Sequence, residues 1–395
     1  MKSITLFTEE IDDYEDAAAE LKEQLEGFEL CKNTIGILYI NADNDIAEMM
    51  NCFTEAFDFP LVGSTALAQL NSSTGYCDAG ITMIVLTADD CQFDIGMAEG
   101  LTCENYEEQI TAEYQRVKAI SGADEKLIIA YGGKITGSVG DDFIHVFDKL
   151  SNGVPVFGGL ASDGFSFTKY FIFSNEKIDH FGLVFVLISG NVKPLFACEY
   201  SVSTENGFSA VVTKSKGNMI LELNRGKFLD VLKEEGVGSD NSDQFQFIGS
   251  PFTATLEMED GAKVRVLRFL TIIDQPTRSG GFLGGVPEGS GLGIAVINRD
   301  DVEKSVAEAL RKLLEQMSKE NEYKYSTFLF SSCGGRYLLL TKDRDAEARA
   351  IQTVLPENVS AAGFYSYGEF APVTMEDSGK SYNVFHNSTF TVLAM

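Results

Sequence analysis

Three times along this chain an apolar strand leads through a polar turn into a helix and then returns as a second apolar strand that ends on glycine. The first copy runs from Thr34 to Ile40 and closes on Phe59-Pro-Leu-Val-Gly63-Ser64-Thr65. The second starts at Leu127–Ala130 and closes on Val154-Pro-Val-Phe-Gly158-Gly159. The third starts at Ser326–Phe330 and closes on Val359-Ser-Ala-Ala-Gly363. This feature limits the fold more than any other, because parallel strands need a helical crossover between them. A strand ending on glycine also lets another group approach the backbone with no Cβ in the way. Three such ends predict a composite binding site.

The pattern changes between Tyr170 and Leu223, where short apolar runs are separated by Asn, Gly and Lys turns, as in an antiparallel meander. The expected fold is α+β with α/β units: mixed sheets covered by helices, in two related halves with strand-helix-strand repeats and a meander. A junction near Asn224-Arg225-Gly226 divides the chain into domains 1–225 and 226–395. Helix starts are expected at Asp43 or Asn44, at Asp141 and Asp142, and at an Asp300/Glu303 capping box.

Charge and composition narrow the function. A formal charge of −28 argues against nucleic acid or an anionic membrane as partner. The apolar run Phe181–Gly190 is too short to span a membrane. No signal peptide is visible at the N-terminus, so a cytoplasmic location is expected. Seven cysteines without a C-x-x-C pair form neither a disulfide framework nor a zinc site. Asn41-x-Asp43-x-Asp45 opens like a calcium loop, but Ile46 and Cys52 occupy positions that need glycine and glutamate. Gly289-Ser-Gly291-Leu-Gly293 ends in Ile294 and falls short of a dinucleotide fingerprint. No metal or cofactor is expected.

Gly63 through Leu70 and Gly363 through Phe370 correspond position by position, with Gln69 and Glu369 each six residues past the glycine. The second copy places an acid, Asp163, five residues on. Together with Gly63-Ser64-Thr65, Val154 through Asp163, Val286-Pro-Glu-Gly-Ser290, Cys333-Gly-Gly-Arg336 and His386-Asn-Ser-Thr389, these segments resemble the FIST family, read as "F-box and intracellular signal transduction". FIST N and FIST C regions would follow one another. The resemblance implies a sensory module that binds small ligands, amino acids among them, and acts through a separate signalling protein.

On chemistry, Arg336 is the expected carboxylate receptor, since its planar fork makes paired hydrogen bonds. Glu369 could receive a ligand ammonium, with Asp163 as a second acid. Tyr365 and Tyr367 alternate along an extended segment. Ser64, Thr65, Ser162 and Asn387 are neutral groups suited to orient a polar ligand, with Gly158, Gly159, Cys333 and His386 beside them. No catalytic residue is assigned. The competing classes are a hydrolase or transferase using Cys333 or Ser64 as nucleophile, paired with His386, and a non-catalytic interaction scaffold.

Overall fold

The computed structural model describes residues 1–133, 140–175, 177–200, 202, 204–237, 251–320 and 322–395. One order of elements, strand-helix-strand-helix-strand-hairpin-strand, occurs in three units. The first comprises Lys2–Thr8, Tyr14–Leu25, Asn33–Asn41, Ile46–Ala56, Leu61–Ala66, the hairpin Gln69–Asn71 with Gly75–Cys77, and Ile81–Ala88. The second comprises Cys91–Ala98, Tyr106–Ser121, Glu125–Gly132, Gly140–Ser151, Val156–Leu160, the hairpin Ile172–Ser174 with Lys177–Asp179, and Leu183–Gly190. The third comprises Leu195–Tyr200, Arg299–Lys319, Thr327–Cys333, Ala346–Val354, Ser360–Ser366, the hairpin Glu369–Thr374 with Ser381–His386, and Thr389–Ala394. It also carries a short helix, Gly334–Leu339, directly after Cys333.

Each unit contributes four strands to a six-stranded sheet, in which its two glycine-linked strands run parallel. The remaining two strands are a hairpin taken from another unit. The first unit's hairpin joins the third sheet, the second unit's joins the first, and the third unit's joins the second. This closed cycle means that strands from both sides of residue 225 share two of these three sheets. The units are therefore held together by backbone ladders as well as by packing.

Two helices cover the outer face of each sheet. Met49, Met50 and Phe53 pack on the first sheet, Phe143 and Phe147 on the second, and Val306, Leu310 and Leu313 on the third. The inner faces meet in one core. Strands buried on both faces must be apolar throughout, which explains runs such as Ile35–Ile40 and Leu183–Ile188. At the centre, Tyr39, Tyr131 and Phe364, one from each unit, pack with ring centroids 4.8–5.8 Å apart. The Tyr39 and Tyr131 hydroxyls share a 2.7 Å hydrogen bond.

Among the described residues, strands between Thr204 and Val296 build a further antiparallel sheet of eight strands around Phe228, Phe252 and Phe282. Arg268 anchors it to the second unit through Asp141 at 2.9 Å and to the third unit's hairpin through the Phe385 carbonyl at 2.8 Å. Two helix starts shift from expectation. Asp45, not Asp43 or Asn44, caps Ile46–Ala56 by accepting from Glu48 N. The capping box of Arg299–Lys319 is Asn298/Asp301, two residues upstream of Asp300/Glu303, because Asn298 is the extended residue there.

Candidate functional site

The strand-end glycines do meet, but they serve the backbone first. A Cβ on Gly63, Gly158 or Gly363 would lie 2.1, 2.0 or 2.4 Å from the carbonyl oxygen of Leu38, Ala130 or Phe330 on the parallel neighbour. Gly159 lies against the Gly368 carbonyl in the same manner, at 2.6 Å. Close strand approach therefore accounts for these glycines without a ligand.

What converges is the chain just beyond them. Ser162 N donates to Thr65 O at 3.1 Å, Tyr365 N to Ala68 O at 2.9 Å, and Leu160 N to Gly368 O at 2.8 Å. These bonds join first unit to second, third to first, and second to third. Here, at the carboxyl ends of the parallel strands, α/β proteins characteristically place ligands.

Strand register aligns the units residue by residue. Gln69 pairs with Phe364, Ile172 with Ser64, and Glu369 with Gly159. The position is thus an amide, an aliphatic group and an acid in turn. One step back, Tyr39, Tyr131 and Ser331 are equivalent. The acid and the small hydroxyl thus face the one glycine of the middle set. Ser331 Oγ lies 3.0 Å from where a Gly159 Cβ would stand.

Glu369 is fully buried. Ser366 Oγ donates to its Oε1 at 2.8 Å and Thr389 N to its Oε2 at 3.3 Å. Among the described residues no ion pair reaches it. Burial pushes its carboxyl up to about 8, against the opposing pull of those donors and the more distant Arg336 charge. The Cys333 thiol lies beside it and faces the backbone N–H groups of Ser388 and Gly335. Burial, and then the Glu369 charge, push that thiol well above its ordinary range. Ser331 Oγ, Asn387 Oδ1 and Ser388 Oγ have no hydrogen-bond partner among the described residues, though their side chains are entirely buried. Ser388 adopts φ 56°, a left-handed conformation that is costly for a residue other than glycine. Uncompensated buried polar atoms cost roughly 1–3 kcal/mol each, so such a group calls for an explanation.

The opposite face of the same strand pair is closed electrostatically. Arg336 is fully buried, with Nε 2.8 Å and Nη2 2.6 Å from Glu347 Oε1. It also donates to Ser305 Oγ and the Val302 carbonyl, both at 3.0 Å. Ser332 donates to the second Glu347 oxygen at 2.8 Å, and the Tyr365 hydroxyl lies beside the same carboxylate. The expected role of Arg336 as a carboxylate receptor is corrected accordingly, since its fork is filled from within the fold.

Several other expected residues also hold the chain. Thr65 Oγ1 donates to Ser162 O at 3.0 Å and accepts from Phe171 N at 2.9 Å. Ser162 Oγ accepts from Leu67 N at 2.8 Å and donates to the Tyr365 carbonyl. Asp163 accepts from Ser166 Oγ at 2.6 Å, the N–H groups of Phe167, Thr168 and Lys169, and the Tyr367 hydroxyl. Burial opposes ionisation here, but those donors outweigh it and hold the carboxyl down at about 2. Asp163 thereby pins a strap, 163–171, in which Phe165 and Phe167 take φ 66° and 54°. Phe165 lies 3.5 Å from the position of a Gly334 Cβ, and Phe167 stacks on Tyr367 at 4.5 Å. The strap covers the turn after Cys333.

His386 stands opposite Glu369 in the hairpin, but Nε2 donates to Ala371 O at 3.1 Å, and burial lowers the imidazole to about 4. Among the described residues no hydrogen bond links it to Cys333 or Ser64, so the expected pairing as a catalytic base is not formed. Ser64 Oγ is buried and also lacks a partner. Sequence reasoning missed Ser331 and the Arg268 anchor. Their signal was polar residues inside apolar runs, Phe330-Ser-Ser-Cys333 and Val264-Arg-Val-Leu-Arg268.

Among the described residues no group of His, Cys, Asp and Glu is arranged to hold a metal ion, and no helix is long and apolar enough to cross a membrane. A recess of about 360 Å³ lies apart from the junction, between Thr54, Ile95, Met97, Glu113, Arg116 and Lys177.

The FIST N domain matches residues 34–225 and the FIST C domain matches residues 229–372. The chain belongs to the FIST family, whose domains are sensory domains of signal transduction. The F-box part of the expanded name used above is incorrect. No curated protein sequence matches the chain. Among solved structures, a chorismatase is 9% identical with a TM-score of 0.36, covering 100% of this chain and 98% of its own. A cyanuric acid hydrolase is 9% identical with a TM-score of 0.28, covering 74% of this chain and 99% of its own.

Proposed function

We propose that this chain is a non-catalytic sensor that binds a small polar metabolite, with amino acids the first class to test, at the junction around Glu369. The observation that carries this reading is the set of unpartnered buried atoms, Ser331 Oγ, Asn387 Oδ1 and Ser388 Oγ, gathered where the three units meet. Of the ten buried side-chain atoms without a hydrogen-bond partner among the described residues, these three gather around one buried acid, and a ligand's hydrogen bonds would offset their cost. The family's sensory role supports the same reading. Entry requires movement, because the junction is closed, and the strap 163–171 is the covering segment. We place such a sensor in the cytoplasm, reporting to a separate signalling protein.

Cys333 is the residue on which an enzymatic alternative rests. Its strand-end position and its facing N–H groups suit a nucleophile, but burial and Glu369 keep it protonated, which suits a neutral lining better. A thermal-shift screen of amino acids and related metabolites tests the proposal. A ligand present at 100 times its Kd adds about 2.7 kcal/mol of stability. A broad library without a single shift, on folded protein, would remove the ligand-binding reading.

A further inference from the structure

The junction's inventory also selects the charge of its ligand; this deepens the ligand-binding reading and rests on it. Both buried guanidiniums nearby are engaged. Arg336 lies on the far face of the strand pair with Glu347, and Arg268 is held by Asp141 and the carbonyls of Gly285, Leu267 and Phe385. His386 is neutral and turned to a carbonyl. A ligand carboxylate would therefore find no committed positive partner, and would meet a buried acid and a buried thiol. The groups that remain include acceptors: the Glu369 carboxyl, the Asn387 carbonyl and the hydroxyls of Ser331 and Ser388. An ammonium offers three donors and one positive charge to such a set. The equivalent positions in the other two sheets, Gln69 and Ile172, carry no acid, so this chemistry is confined to the third unit's hairpin.

We propose that the ligand is held through a primary ammonium, and that Glu369 gives up its proton to solvent as the ammonium arrives, leaving an ammonium–carboxylate pair. The charge balance is one cation bound and one proton released. A neutral acid in the empty site, as burial dictates, avoids leaving a lone charge in the core while the site is unfilled. Cys333 and His386 are the other titratable groups beside Glu369, with Arg268 near by and Arg336 across the strand pair. Burial keeps the thiol protonated and the imidazole neutral, so one proton is the expected exchange.

The test uses the full chain and three matched probes, n-propylammonium, propionate and propionamide, titrated at constant ionic strength at pH 6, 7 and 8. The expected result is stabilisation by propylammonium alone, its Kd tightening about tenfold per pH unit from pH 6 and levelling near the Glu369 transition. Calorimetry in two buffers of different ionisation heat should show one proton released. Glu369→Gln should weaken the ammonium at least tenfold and abolish the pH slope. Ser331→Ala should weaken it while keeping the slope, which preserves the test if the first variant does not fold. Stabilisation by propionate in place of the ammonium, or a pH-independent Kd, overturns the proposal. So does a metabolite hit without an amine that needs Glu369, although that result leaves ligand binding intact. Silence from all three probes and from the metabolite library overturns both readings together.

Discussion

The strand pair Thr327–Cys333 and Ser360–Ser366 buries an acid on each of its faces, and the two acids are treated in opposite ways. On the helix-covered face Glu347 meets Arg336 and Ser332, and Arg336 also donates to Ser305, in a set whose charges cancel. On the inner face Glu369 meets two weak donors, a thiol and a set of hydroxyl and amide groups with spare hydrogen-bonding capacity. Both acids are fully buried, so burial alone does not mark a site. The difference is completion. A network closed from within holds structure, and one left open among buried groups is where a ligand can add the missing partners.

The largest effect should come from opening the closed face. Arg336→Met leaves Glu347 buried and unpaired, and breaking such a pair costs about 3–5 kcal/mol. Denaturant unfolding should show that loss, and pairing the change with Glu347→Leu should recover much of it. Full stability in Arg336→Met would mean that the two faces do not differ as described.

On the open face the effect depends on pH. The folded state raises the Glu369 carboxyl from its ordinary 4.5 to about 8. The stability this confers is complete below the ordinary value and is lost as pH rises through the folded one. Between the two, native protein should lose about 1.4 kcal/mol per pH unit relative to Glu369→Gln. Parallel stability profiles for the two proteins between pH 5 and 8 would show that Glu369 is not a neutral buried acid.

A smaller loss is expected at the strap. Asp163→Asn removes the charged acceptor for three backbone N–H groups and two hydroxyls, at roughly 2 kcal/mol. Because Asp163 is held near 2, its contribution is present above its ordinary 3.8 and fades as pH falls towards 2. Hydrogen exchange confined to 163–171 would localise the effect, and an unchanged exchange pattern would remove the pinning role. The smallest effect concerns Cys333, which should label slowly with thiol reagents at neutral pH in native protein; the exposed Cys103 is the internal reference. Rapid labelling of Cys333 would favour the enzymatic alternative.

Much of this was legible in the sequence. Helix periodicity and glycine-ended strands identify the repeating unit, and matching Gln69 with Glu369 places both at the starts of equivalent hairpins. The exchange of hairpins was not legible, because Gln69–Asn71 and Glu369–Thr374 carry no local mark of which distant sheet they will join. Arg336 was misassigned because its true partner, Glu347, sits in the separate helix Ala346–Val354, and nothing local to either residue shows that the two meet in the core. Ser331 was overlooked because a serine in an apolar strand gains meaning only when burial removes its partners. The glycines do mark where the three units meet, but for a different reason, since neighbouring carbonyls fill the space that a ligand was expected to enter.

The most direct test is a crystal structure of the protein with a stabilising metabolite from the screen. The account requires that molecule within hydrogen-bond distance of Glu369 and Ser331, with the strap 163–171 displaced or reclosed over it. Density for the metabolite in the recess between Ile95, Arg116 and Lys177, with the Glu369 junction unchanged, would contradict it.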